Sequence, residues 1–331
     1  MKKVLVTGSA GFIGGHLVRK LQSEGHWVVG ADIVEEKYCK ADRFYQYDLR
    51  KYNDCIDIFE THSWGDEALE EISFDEVYNL ACLMGGMGWI GDEKHSYDIM
   101  VGSSQIIINV LEAAIKYKAK KIFFSSSACV YNENYQLGID NCSLAEHMAY
   151  PSLPDLTYGW QKLFSERLML AAKDKIDIRI ARFHNIFGIE GTWNGGKEKY
   201  PAAICRKVAQ SKDGDTITIW GDGLQTRSYL NVTECLKTVE LLMQSNISEP
   251  LNIGSDELIS CNDLAKMVIE ISGKNLKIEH DLTKPQGVRG RNSDNKLIQE
   301  KLGYAPVQDL KAEMTKLYGW VLNETQKQVH G

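Results

Sequence analysis

Gly8, Gly11 and Gly14 stand between an apolar run, Val4–Thr7, and a stretch with helical spacing, Phe12–Ser23. A strand that runs into such glycines and then into a helix forms a tight turn. It lets a pyrophosphate approach the helix N-terminus, where free N–H groups and the helix dipole favour anions. Glycine spacing alone is weak, but here Asp32 closes the next apolar run, Trp27–Asp32, 24 residues past Gly8. Its carboxylate would accept hydrogen bonds from ribose hydroxyls and repel a 2′-phosphate. Ile33-Val34-Glu35 after it brings no cation. The reading is a dinucleotide site for NAD rather than NADP.

Strand and helix patterns alternate through the first half. Arg43–Tyr47, Asp75–Ala81, Lys121–Ser126 and Ile176–Arg182 read as strands, and Tyr97–Lys116 and Thr157–Ala172 as helices. Such alternation predicts an α/β fold, a Rossmann-type doubly wound parallel sheet covered on both faces. The rhythm changes near residue 185. A glycine-rich loop (GIEGTWNGGKEK) precedes a helix at Pro201–Gln210. Shorter elements follow: Thr216–Trp220, Arg227–Val232, a helix at Thr233–Ser245, a strand at Pro250–Ile253 and a helix at Cys261–Ser272. A charged loop, Lys284–Asn295, and two helices close the chain. We expect a dinucleotide-binding domain over 1–185, with returning elements near 225–255, and a smaller C-terminal α/β substrate-binding domain mainly over 186–331.

Composition narrows the classes. Of 331 residues, 44% are apolar and 25% charged, enough to bury a core, so dominant disorder is excluded. The net charge is −7 and no basic patch stands out, so no nucleic-acid partner is expected. No run approaches 18 consecutive apolar residues, and the first apolar run is too short for a signal peptide, so no membrane association is expected. Eight cysteines without a CxxC pair point to a reducing cytoplasm, and no Cys/His cluster suggests a metal.

Tyr158 and Lys162 lie one helical turn apart, so both project from one face. An ammonium near a phenol favours phenolate, which makes a proton acceptor. Together with GxxGxxG, Asp48-Leu49 and Asn79-Leu80-Ala81, this pair resembles the extended short-chain dehydrogenase/reductase family. Longer segments resemble the GDP-mannose 3,5-epimerase branch of that family over almost the whole chain. They are Met84–Gly88 (MGGMG), Ser126–Tyr131 (SSACVY), Arg182–Ile186 (RFHNI), Gly191–Lys199 (GTWNGGKEK), Trp220–Ser228 (WGDGLQTRS) and Gly287–Asn295 (GVRGRNSDN). About two extra residues lie between Gly88 and Cys129, and Trp160-Gln161 fills the middle of YxxxK.

The resemblance implies bound NAD held by Gly8, Gly11, Phe12, Ile13, Gly14, Asp32, Asp48, Leu49, Leu80, Tyr158 and Lys162. It implies that Tyr158, Lys162 and Ser127 serve a transient oxidation at C4 of a sugar. Sugar-nucleotide dehydratases of the family carry an Asp-Glu pair after their Ser/Thr, where this chain has Ala128-Cys129. Cys129 and Lys199 are then implied as proton carriers on opposite faces of the ring, with Lys197 the competitor for the role of Lys199. Gly85, Ser127, Ala128, Cys129, Asn185, Glu198, Lys199, Lys207, Gln225, Thr226, Arg227 and Arg291 are implied to touch the GDP-sugar, and Glu198 to orient the loop or a hydroxyl. Lys207, Arg227 and Arg291 are the expected diphosphate cations. Arg206 and Arg289 are open between structural and rim roles, and His184 and the other cysteines are expected to be packing residues. A homodimer through the helices at Tyr97–Lys116 and Thr157–Ala172 is implied as well. Two alternatives stay open: an NAD-dependent epimerase of another GDP-hexose or GDP-heptose, and a non-catalytic NAD-sensing protein. The intact YxxxK weighs against the second.

Overall fold

The computed structural model describes residues 1–62, 69–140 and 142–330. Seven strands form the main sheet: β1 (Lys3–Thr7), β2 (Trp27–Asp32), β3 (Arg43–Gln46), β4 (Glu76–Asn79), β5 (Lys121–Ser127), β6 (Asp177–Phe183) and β7 (Leu251–Ile253). Their order is β7-β6-β5-β4-β1-β2-β3, and every pair is parallel. Val4, Leu5 and Val6 are all buried, as a strand covered on both faces requires. Successive residues serve opposite cores. Leu5, Val29, Val77 and Ile122 join one cluster, and Val4, Val6, Val28 and Phe123 the other.

Strand order reverses between β1 and β4. In open parallel sheets, the crevice for a ligand lies outside the strand C-termini at such a point. Thr7 ends β1 beside Ala31 and Asn79, and its hydroxyl donates to Asn79 Oδ1 at 2.6 Å. Helices α1 (Phe12–Ser23), α2 (Ser96–Lys116) and α3 (Leu156–Ala171) frame the crevice. The helix over Glu93–Lys116 is long and apolar enough, by length and composition, to cross a bilayer. Its Ile106, Ile107, Val110 and Leu111 lie in the core beneath the sheet, the pattern of a core helix.

A third core around Ile204, Val208, Ile219, Leu264, Val268, Met314 and Leu317 builds the smaller part. It joins α4 (Tyr200–Gln210) to the helices Cys261–Ser272 and Leu310–His330. The run expected as one element over Arg227–Val232 is two short strands with different partners. Thr226–Arg227 pairs with Gly290–Arg291, and Leu230–Asn231 with Ile186–Phe187. The first pairing sets Arg227 opposite Arg291, and both line the crevice. It also places a strand inside the expected Lys284–Asn295 loop. The helix Tyr52–Phe59 and the strand Lys277–Asp281 are additional to the sequence reading.

Candidate active site

A cleft of about 920 Å³ runs from the β1 turn to the loops of the smaller part. That is at the upper end of the ~300–1,000 Å³ usual for small-molecule sites. Every site residue expected from sequence lines it except Thr226, whose hydroxyl donates to the Ile139 carbonyl at 2.6 Å. The expected substrate contact at Thr226 is therefore corrected. Its side chain is turned away from the cleft, while its neighbour Arg227 faces in.

At one end, Gly8 has a φ of 75°, and a Cβ on Gly14 would lie 2.0 Å from the Gly8 carbonyl oxygen. Only glycine lets α1 start this close to β1. The α1 N-terminus has no side-chain cap and no acid in its first turn, so its N–H groups remain for an anion. Asp32 accepts from the Ala10, Ile33 and Val34 amides at 3.1, 2.7 and 3.3 Å, which fixes its carboxylate at the edge of the turn. Burial raises its pKa against the pull of those bonds. This cradle fits the pyrophosphate and ribose of a dinucleotide, with Phe12, Ile13, Leu49 and Leu80 as apolar walls. Asp48 also lines the cleft, but its carboxylate is gripped by Arg50 at 2.8 and 2.7 Å.

In the middle, α3 packs on the turn that follows β5. A Cβ on Gly159 would lie 2.2 Å from the Cys129 carbonyl oxygen, so glycine sets this approach. The helix thereby presents Tyr158 and Lys162 to the end of β5. Of the three serines there, Ser126 donates to Glu166 at 2.5 Å and Ser125 to the Asn79 carbonyl at 3.3 Å. Ser127 lines the cleft with Tyr158, and its hydroxyl oxygen accepts from the Cys129 amide at 3.2 Å. The expected lowering of the tyrosine by Lys162 is corrected. Burial raises the Tyr158 pKa well above its ordinary value, Cys82 and Cys129 add to the rise, and Ser127 opposes it. Lys162 Nζ bonds the Ser125 carbonyl instead.

Beside this set lie Cys129 and Lys199. Burial raises the Cys129 thiol, and the charge of Asp155 adds to that, against the pull of Arg291 and Ser127. The cation on this sulfur is Arg291, and desolvation outweighs it. Burial also lowers Lys199, whose backbone caps α4. Both groups are thus pushed towards their uncharged forms, in which the thiol can give a proton and the amine can take one. Lys197 also lines the cleft, with its Nζ 4.7 Å from the Trp89 ring centre in a cation–π contact. Glu198 accepts from the Gly196 amide at 2.6 Å and pairs with Arg206 at 2.8 Å, which orders the loop.

The cations divide by partner. Arg206, Arg289 and Arg291 are paired with Glu198, Asp222 and Asp155. Arg227 donates to the Thr226 and Val288 carbonyls, and Lys207 to the Thr218 carbonyl, without a carboxylate in salt-bridge range among the described residues. Burial depresses both pKa values, so an incoming anion would relieve them. Gln225 and Asn185 line the same wall, as do Gly85 and Ala128.

The sequence reading did not include Asp155, Gln136 or Cys82. Cys82 lines the cleft and adds to the rise of the Tyr158 pKa, so it is not the packing residue expected. His184 is fully buried with Nε2 2.9 Å from Asn252 Oδ1, as a packing residue should be.

The model of the NAD dependent epimerase/dehydratase family matches residues 4–254. The chain is 43% identical to GDP-mannose 3,5-epimerase of Arabidopsis thaliana, covering 98% of this chain and 84% of that protein. It is 42% identical to GDP-mannose 3,5-epimerase 1 of Oryza sativa subsp. indica, covering 98% and 83%. Among solved structures, UDP-glucose 4-epimerase of Thermotoga maritima with UDP-glucose superposes with a TM-score of 0.81 at 24% identity, covering 99% of both chains. That likeness establishes the fold alone.

Proposed function

Because this chain belongs to the NAD-dependent epimerase/dehydratase family, we propose that it is a GDP-mannose 3,5-epimerase. It inverts C5 and C3 of the mannosyl ring to give GDP-L-galactose, with GDP-L-gulose the product of inversion at C5 alone. The observation that carries this reading is the placement of Cys129 and Lys199 in the same cleft as Tyr158, Lys162 and Ser127. Oxidation and reduction at C4 need only the last three. Two further proton carriers suit a reaction that also moves ring protons.

The chemistry that NAD supplies when bound is a reversible hydride acceptor, which lets the C4 alcohol pass through a ketone with no net oxidation. Tyr158 takes the hydroxyl proton, with Ser127 beside it in the cleft and Lys162 fixed beneath by the Ser125 carbonyl. The hydrogens at C3 and C5 are then both α to a carbonyl, and their removal gives an enolate. Inversion needs removal on one face and delivery on the other, the work assigned to Cys129 and Lys199. Arg227 and Lys207 receive the diphosphate.

The reading extends to a homodimer in a reducing cytoplasm. The packed pair α2 and α3 leaves Tyr97, Trp160 and Phe164 exposed by 74%, 43% and 45%, an apolar face suited to a second copy. All eight cysteines are free. NMR of the products formed from GDP-mannose tests the activity. GDP-L-galactose is expected, and unchanged GDP-mannose or a C4 epimer would overturn the reading.

A further inference from the structure

The Arg291 guanidinium is held from three sides. Its Nη2 donates to Asp155 Oδ2 at 2.8 Å, its Nε to Gln136 Oε1 at 2.5 Å and its Nη1 to the Cys129 sulfur at 3.2 Å. Gln136, Asp155 and Arg291 are each more than nine-tenths buried. Such an enclosed guanidinium has little freedom to leave the sulfur.

Both braces give up other uses of their side chains. Asp155 is the N-cap residue of α3, a position where aspartate usually bonds the first amides of the helix. It makes no such bond, and its carboxylate turns across to Arg291. Gln136 donates its amide to the Tyr131 and Asn132 carbonyls at 3.3 Å each, which aims its oxygen at Arg291. Tyr131 and Asn132 closely follow Cys129 along the chain, so this brace and the thiol move as one piece.

Building on the epimerase reading, we propose that Gln136 and Asp155 are positioning residues for proton transfer at Cys129. They keep the Arg291 guanidinium on the sulfur, where it favours thiolate. The groups that act on the thiol are Arg291 and the Ser127 hydroxyl, which favour its ionisation, and Asp155, which opposes it. Lys199 and Tyr158 line the same cleft, and the charge of the thiol raises the pKa of each. Gln136 carries no charge, so its influence on the thiol must pass through Arg291.

The test uses the purified full chain without any GDP-sugar. Alkylation of Cys129 by iodoacetamide is followed against pH on the peptide that contains it. Gln136→Leu and Arg291→Gln should each move the alkylation midpoint upward by about one pH unit, making the reaction ~10-fold slower below the midpoint. The double variant should be no slower than Arg291→Gln alone, because the two act through one contact. Asp155→Asn keeps an acceptor oxygen but removes the opposing charge, so its midpoint should fall. An unmoved midpoint in folded Gln136→Leu, or additive effects in the double variant, would overturn the proposal. If Gln136→Leu does not fold, Gln136→Met, which keeps the length of the side chain and loses the acceptor oxygen, decides, and an unmoved midpoint overturns it. Since no sugar is present, shifted midpoints with no inversion of GDP-mannose would leave the clamp standing and defeat the activity reading instead.

Discussion

Lys162 Nζ sits 5.6 Å from the centre of the Tyr158 ring while donating to the Ser125 carbonyl at 2.8 Å. The lysine is thus anchored to the end of β5, and Ser127 is the neighbour that favours ionisation of the tyrosine. Tyr158→Phe removes the only phenol in this set and with it the acceptor for the C4 hydroxyl proton. Exchange of the C3 and C5 hydrogens should fall ~10²–10⁴-fold, because the ketone that acidifies them no longer forms. Normal exchange in Tyr158→Phe would show that oxidation does not come first.

Arg227 and Arg289 offer a matched comparison. Arg227 is half-buried against carbonyl oxygens, whereas Arg289 is paired with Asp222 at 2.9 Å. Loss of a charge-assisted bond costs ~1.5–3 kcal/mol. Titration calorimetry with GDP should therefore show ~10–150-fold weaker binding for Arg227→Ala. Arg289→Ala should change little. Equal losses would mean that both arginines act through the loop and neither through the diphosphate.

Cofactor choice rests on Asp32. Held by three backbone amides, its carboxylate cannot swing away from a 2′-phosphate. The native chain should bind NAD(H) in preference to NADP(H), and Asp32→Ala should narrow that preference while weakening NAD(H). Competition between the two cofactors, read by fluorescence of the reduced form, measures both. A native preference for NADP(H) would contradict the role given to Asp32.

His184 makes acid stability predictable. Burial lowers its pKa to about 3. Between about pH 3 and its ordinary value near 6.5, the unfolded chain binds a proton that the folded chain excludes. Stability should therefore fall as pH drops through that window, by about 2 kcal/mol at pH 5 from this group. Denaturant titrations at pH 7 and pH 5 should show a smaller loss for His184→Gln than for the native chain. An equal loss would place the acid sensitivity in other groups.

Much of this arrangement was legible in the residues. Helix Phe12–Ser23 and strand Trp27–Asp32 begin and end where glycine spacing and apolar runs set them. Cys129, Lys199 and Arg227 stand in matched segments and share the cleft. What stayed hidden depends on contacts between distant parts of the chain. Asp155 reads as an ordinary helix cap until Arg291, 136 residues away, is seen to take its carboxylate. Strand Lys277–Asp281 is largely exposed and charged, so its sequence lacks the apolar run that marks a buried strand. Arg227 and Arg291 meet only because two short strands pair in register. The sign of the thiol shift was also out of reach, since it depends on how completely the cleft desolvates the sulfur.

The central claim is that one transient ketone serves inversion at two ring carbons. Incubation of the native chain with GDP-mannose in heavy water, followed by NMR of the recovered nucleotide sugars, tests it most directly. Deuterium should enter at both C5 and C3, while the hydrogen at C4, returned as hydride, should stay unlabelled. Deuterium at C4, or none at C3 and C5, would contradict the account.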